Sequence, residues 1–308
     1  MTAKVICRGR FAPKTITSSL FSVNLVNSST CTLPNYPGIG STPGPVVLQF
    51  LADQQLLAAC GSNSLTDDLS CYQLSPDLPT LTWQFMPAQI TRHCPRSYRT
   101  RSHYLDYNGW FVFGQDESCS TAQAGIATEL FTSSHQWLLT PTVSPYSQSG
   151  FPLLACSVPI SQTKIMITGG YSGDYLSSSW LLDLTNYSWV ALQDMPGPRS
   201  RHGCTLTAEG EVLVAGGWNG APITSVYVYN INSNTWRRKQ DLPADMIHTN
   251  YPVMFLRNDS PILLESSASR VWRLTLDGWE LLTEVKGPSI DGMRDVFCIV
   301  PKNLFKCA

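Results

Sequence analysis

Charge is scarce in this chain. Only 14% of its 308 residues are charged, and 21 Lys and Arg nearly balance 22 Asp and Glu, for a formal net charge of −1. Without a basic excess there is no electrostatic footprint for nucleic acid or for an anionic membrane surface; a partner reached through a local charged patch stays open. Long apolar runs are missing too. None approaches the ~18 residues needed to span a bilayer, and the opening MTAKVICRGR has no apolar stretch long enough for a signal peptide. As written, the chain reads as soluble and not visibly exported, with a leader upstream of Met1 left open. No segment sustains a 3.6-residue hydrophobic period, which argues against a helical architecture. Catalytic signatures are absent as well: there is no GxSxG, no Walker loop and no dinucleotide fingerprint. The five histidines (His93, His103, His135, His202, His248) form no metal spacing and no CxxC occurs, so neither a metal nor another cofactor is expected.

What the chain does have is repetition. Residues 166–173 read MITGGYSG and residues 213–220 read LVAGGWNG, 47 residues apart. In each unit a tryptophan, Trp189 or Trp236, lies 19 residues after the second glycine, and the units end alike in WVALQDMP and WRRKQDLP. Weaker copies surround Trp83, Trp137 and Trp279, and the segment from Lys4 repeats the pattern with Cys31 in place of tryptophan. Each unit holds about four short runs rich in Val, Ile, Leu, Tyr and Trp, bounded by Asn, Asp, Gly, Ser and Pro, which reads as strand–turn–strand.

Four antiparallel strands every 40–50 residues is the signature of a β-propeller blade. The expected fold is all-β: a single six-bladed propeller over residues 1–308. Its blades fall at about 46–87, 99–140, 152–196, 203–243 and 251–285, with a sixth made of 1–37 plus 294–301. In that sixth blade a C-terminal first strand, RDVFCIVP, joins N-terminal strands two to four at 4–9, 18–25 and 30–34, hiding both edges. The tail 302–308 is either loose or an alternative second strand. The paired glycines would end each second strand, where neighbouring backbones crowd and positive φ is needed. The aromatics of the outer strand would fill the wedge between sheets.

The motifs ITGGYSG…W…MPGPRSRHG and VAGGWNG…W…LP resemble the Kelch repeat, most specifically over about 150–243, with looser copies along nearly the whole chain. Three units depart from the pattern: Cys-Gly replaces Gly-Gly in the second, the third has one glycine and the sixth has Glu-Ser. The resemblance implies a propeller whose loops bind other molecules, usually proteins. It also implies that His103 and His202, each following an arginine at the start of an inner strand, hydrogen-bond loops near the channel mouth.

Ten cysteines in 308 residues are too dilute for a fold that depends on disulfides, and buried reduced cysteines are the ordinary expectation. Placed on the blade pattern, however, Cys60–Cys71, Cys94–Cys119, Cys156–Cys204 and Cys7–Cys298 come near one another as candidate disulfides, leaving Cys31 and Cys307 as a fifth possible pair. The stretch LLAACG…LSCYQL resembles extracellular Kelch proteins of invertebrates, which supports the oxidised reading. An exported, oxidised chain and a reduced cytosolic one both stay open. Three glycosylation sequons, at Asn27, Asn186 and Asn258, fall in expected loops.

In a propeller, the loops between strands two and three and those between blades share one face. There the candidate binding residues are Asn63, Arg101, Tyr171, Arg199, Arg201, His202, Trp218 and Asn219, with Arg99 and Asp116 nearby. Loop aromatics and arginines are the residue types of interface hot spots. Arginine grips carboxylates with two hydrogen bonds, so by resemblance an acidic peptide is a candidate ligand. The alternative is that Tyr171 and Trp218 pack between blades and the arginines tie down loops. The expected function is therefore non-enzymatic binding of a protein or peptide. The enzymatic alternatives are a sugar isomerase of the bacterial Kelch type and a copper-radical oxidase, whose Tyr–Cys pair and further ligands find no match by spacing. The oligomeric state is open.

Overall fold

The computed structural model describes residues 4–10, 19–24, 30–34, 37, 46–52, 54–62, 69–75, 81–87, 101–105, 109–113, 128–132, 134, 136–140, 145, 152, 154–246, 252–265, 270–284 and 295–301; for 4–10, 19–24, 30–32, 46–47, 61–62, 69–70, 101–105, 110–113, 128–129, 139 and 295–301 it describes the backbone alone. All regular elements among them are strands. The chain divides into two compact units, Met1–Phe151 with Met293–Ala308, and Pro152–Gly292.

The first unit contains β1 (Lys4–Arg10), β2 (Ser19–Asn24), β3 (Thr30–Leu33), β4 (Val46–Leu51), β5 (Leu56–Ser62), β6 (Leu69–Leu74), β7 (Trp83–Met86), β8 (Arg101–Leu105), β9 (Gly109–Phe113), β10 (Thr128–Phe131) and β11 (Trp137–Leu139). The second contains β12 (Cys156–Pro159), β13 (Lys164–Thr168), β14 (Ser179–Asp183), β15 (Ser188–Leu192), β16 (Gly203–Leu206), β17 (Val212–Ala215), β18 (Val226–Asn230), β19 (Thr235–Lys239), β20 (Val253–Arg257), β21 (Ser260–Leu264), β22 (Arg270–Leu274) and β23 (Trp279–Glu284). The last strand, β24 (Asp295–Pro301), belongs to the first unit.

These strands form four-stranded antiparallel sheets, three in each unit. Five take their strands in sequence order, β4 to β7, β8 to β11, β12 to β15, β16 to β19 and β20 to β23. The other has the order β24-β1-β2-β3, so the two ends of the chain share a sheet. Its register sets Val5 opposite Val300 and Cys7 opposite Cys298. The tail 302–308 and Cys307 lie outside the described residues.

Burial falls from the inner to the outer strand. In β17 all four residues of VLVA are buried, whereas β19, TWRRK, leaves four of its five exposed. A strand covered on both faces reads as a continuous apolar run, and a strand at the rim does not. The period of two along β17 then assigns its residues to two cores. Val212 and Val214 pack with Cys156, Val158, Met166, Cys204 and Tyr229, on the side of the β12–β15 sheet. Leu213 and Ala215 pack with Val226, Val228, Leu263 and Trp272, on the side of the β20–β23 sheet. In the first unit, Leu51, Ala58, Cys60, Met86, Phe131 and Trp137 form the corresponding core.

The recurring tryptophans do more than fill the space between sheets. Each of four begins or nearly begins an outer strand and donates its indole N–H to a carbonyl just past the outer strand of the preceding sheet: Trp83 to Pro34 at 3.0 Å, Trp137 to Pro87 at 2.9 Å, Trp236 to Gln193 at 2.9 Å and Trp279 to Gln240 at 3.4 Å. The Trp236 ring also packs at 4.9 Å on Tyr229. In these four, both the strand position of the tryptophan and that of its partner repeat.

Candidate functional site

The loop end of the second unit is organised around four residues between β15 and β16, Arg199-Ser200-Arg201-His202. The paired glycines exist to let this segment through. A Cβ on Gly169 would lie 2.5 Å from the Arg199 carbonyl oxygen and 2.8 Å from His202 Cε1; one on Gly217 would lie 2.6 Å from the Ser200 carbonyl oxygen. All three contacts are closer than real Cβ atoms make, and both glycines hold positive φ, 58° and 106°. The crowding anticipated at these positions therefore comes from one specific strip of chain, the inter-sheet loop that both glycine pairs flank.

Backbone hydrogen bonds hold the strip on both sides. Gly170 N–H donates to the Arg199 carbonyl at 2.9 Å, and Ser200 and Trp218 exchange N–H and carbonyl bonds at 3.0 and 2.8 Å. The two glycine loops are themselves alike: Leu176 N–H donates to the Gly170 carbonyl, and Ile223 N–H to that of Gly217.

Side chains complete the support. Arg199, 2% exposed, donates through Nη1 to the carbonyls of Gly216 (3.1 Å) and Ser225 (3.0 Å), and through Nη2 to Ser225 Oγ (2.9 Å). Its guanidinium lies 5.3 Å from the Tyr227 ring centroid, and Nε meets no acceptor among the described residues. Desolvation pushes its pKa down to about 10, against the opposing pull of Tyr227 and Asp241, so it stays charged at neutral pH. His202, 1% exposed, shares a 2.8 Å hydrogen bond between Nε2 and Thr168 Oγ1.

Burial thus divides the candidate binding residues. Arg199 and His202 lie beneath the surface: Arg199 Nη1 and Nη2 meet two carbonyls and a hydroxyl, and His202 Nε2 meets a hydroxyl, inside the protein. Arg201 differs from Arg199 although only one residue separates them. It takes φ 59°, donates its N–H to the Leu154 carbonyl, and carries a half-buried side chain whose guanidinium lies 5.9 Å from the Trp218 ring centroid. Trp218 is half-buried and Asn219 exposed. Tyr171 is half-buried and meets Tyr175 edge-on at 5.3 Å. Asn63, Arg99 and Asp116 lie outside the described residues, and Arg101 opens β8 with its backbone alone described.

Disulfides join Cys60 to Cys71, opposite each other on β5 and β6, and Cys156 to Cys204, on the first strands of neighbouring sheets. Cys7 and Cys298 stand opposite in register, their side chains outside the description. Cys94 and Cys119 lie outside the described residues.

One arrangement escaped the sequence reading. Where the first two sheets of this unit have Gly-Gly, the third has Glu265, and its carboxylate is fully buried. Arg270 grips it with two bonds, 2.9 and 3.1 Å, Trp272 Nε1 donates at 3.3 Å, and Arg270 also pairs with Asp245 at 2.9 Å in the preceding inter-sheet loop. The carboxylates, Glu265 first, raise the Arg270 pKa above its ordinary value. The signal was present as a departure, Glu-Ser in place of Gly-Gly; what it lacked was a partner in view. Among the described residues no group of three or more His, Cys, Asp or Glu could hold a metal ion. No helix there is long and apolar enough to cross a membrane.

The strip and the glycine loops that flank it lie within the two stretches, residues 152–196 and 198–243, that match the family model of the Kelch motif. No curated protein matches the chain.

Proposed function

We infer that this chain, a Kelch-repeat protein of the β-propeller class, is a non-enzymatic binding module for a protein or peptide partner. The observation that carries the reading is the contrast within Arg199–His202. Arg199 and His202 are buried, and Arg201 between them in sequence stands half-buried against Trp218, next to exposed Asn219. An arginine and an aromatic ring already held in position lose little side-chain freedom on binding, which is what makes such residues effective anchors.

The contact set is Tyr171, Arg201, Trp218 and Asn219. On this reading the four-stranded sheets are six blades of one ring, closed by the sheet in which β24 joins β1 to β3. The ligand presents a carboxylate to Arg201, as an acidic peptide would.

Selection of a random peptide display library on the purified chain tests the site. Enriched peptides should carry Asp or Glu and should lose at least tenfold in affinity on Arg201→Ala and on Trp218→Ala, with melting temperature unchanged. Peptides that bind these variants as tightly as the parent would refute the site, and turnover of a sialic acid or related sugar panel would refute the non-enzymatic reading. Deleting residues 293–308 tests the ring: one transition, lowered as a whole, is expected, and an unchanged separate transition for 152–292 would sink it.

A further inference from the structure

We propose that Asn186 carries an N-linked glycan. Two independent features meet at this residue. The first is redox chemistry. Cys60–Cys71 and Cys156–Cys204 are bonded, one pair in each unit, and all four cysteines are buried. Disulfides persist where thiols are not held reduced, in the secretory pathway and outside the cell. That is also where asparagine in Asn-x-Ser or Asn-x-Thr receives its sugar.

The second feature is the presentation of the sequon. Asn186 and Tyr187 lie in the turn between β14 and β15 and Ser188 opens β15, and both Asn186 and Ser188 are exposed. Asn186 Oδ1 accepts the Ser188 N–H at 3.0 Å, a bond that uses the carbonyl side of the amide and leaves Nδ2 to carry the sugar. The other described sequon is less open: Asn258 is exposed, but Ser260 is half-buried. Position suits the modification too. The β14–β15 turn and the β13–β14 loop bearing Tyr171 leave opposite ends of β14, a strand roughly 15 Å long, so a glycan here stands clear of the contact residues.

In the transfer, Nδ2 of Asn186 attacks the anomeric carbon of a lipid-diphosphate-linked oligosaccharide. A carbon–nitrogen bond forms, the carbon–oxygen bond to the diphosphate breaks, the lipid diphosphate leaves and the amide gives up one proton.

The test starts from protein immunopurified from its natural source, alkylated without reduction, cut with trypsin and treated with peptide-N-glycosidase in heavy-oxygen water. The fragment Ile165–Arg199 should return with Asn186 converted to heavy-oxygen aspartate, beside cross-linked peptides for both disulfides. Recovery of that fragment with Asn186 wholly unmodified overturns the proposal, as does alkylation of Cys60, Cys71, Cys156 and Cys204 before reduction. In the full chain secreted from eukaryotic cells behind an added leader, Ser188→Ala should abolish sugar on that fragment with melting temperature unchanged; sugar remaining on it overturns the site. None of these outcomes depends on whether the loop end binds a partner.

Discussion

Within the second unit, residues 152–243 and the sheet that follows them hold an inter-sheet loop in opposite ways. In the first two sheets the second strand ends in Gly-Gly, and space is the device: with no Cβ present, the Arg199–His202 strip passes within hydrogen-bonding distance of both glycine loops. In the third sheet Glu265 fills that space, and charge is the device, its buried carboxylate holding Arg270, which in turn holds Asp245. The cations are solvated differently as well. Arg199 sits among neutral carbonyls and a hydroxyl, and its pKa falls; Arg270 sits between carboxylates, and its pKa rises. The repeat specifies that the loop be held at this point, and leaves the chemistry to each sheet.

The largest test of that contrast is Glu265→Ala. Removing one partner of a buried pair costs about 3–4 kcal/mol, toward the low end of the range because Arg270 keeps Asp245. Arg199→Met removes a desolvated charge along with its hydrogen bonds, and is expected to cost roughly 1–2 kcal/mol. Equal losses in urea unfolding would dissolve the distinction. Gly217→Ala should cost about 3 kcal/mol, from the backbone contact and the positive φ together. Gly173→Ala, with positive φ but nothing within 4 Å, should cost about 1 kcal/mol; matching values would mean that conformation alone, not passage of the strip, demands the glycines. Trp236→Phe keeps the packing on Tyr229 and gives up the bond to Gln193, about 1 kcal/mol, and Trp279→Phe should lose less because its bond is 3.4 Å long.

The smallest effect compares Asp183 with Asn230, 47 residues later in the same turn position. Each accepts backbone N–H bonds from the turn that follows, at 2.9 Å from Thr185 and at 3.0 and 2.9 Å from Asn232 and Ser233. The Thr185 hydroxyl, first, and its N–H hold the Asp183 pKa below its ordinary 3.8. A carboxyl with a depressed folded-state pKa lends stability that is full above the unfolded value and fades as pH falls through the folded one. Melting temperature should therefore drop slightly below about pH 4 in the parent, and by less in Asp183→Asn. An unchanged acid slope in the variant would show that the turn has no share in it.

Much of the fold was legible because its repeating parts are chemically singular. Gly-Gly after an apolar run and Trp189 or Trp236 at a fixed distance leave few architectures open, and the pairing of β24 with β1 follows from counting strands. The strip between the glycine pairs was less legible. In PRSRHG the two arginines look alike, yet Arg201 takes a left-handed backbone and is half-buried while Arg199 is fully buried. No pattern in a single sequence records that difference in burial. Glu265 was hidden for a related reason: a lone carboxylate reads as a defect in the glycine motif until Arg270, on the next strand, is seen to meet it.

The indole bonds between outer strands carry a further consequence. In all four, the tryptophan reaches backward to the sheet before it. One repeat thus contains both a hook and the eye for its successor. Copying such a unit in tandem brings the means of joining along with it, so the array can lengthen without a new interface having to arise. Loss of a single hook frees one neighbour and spares the others.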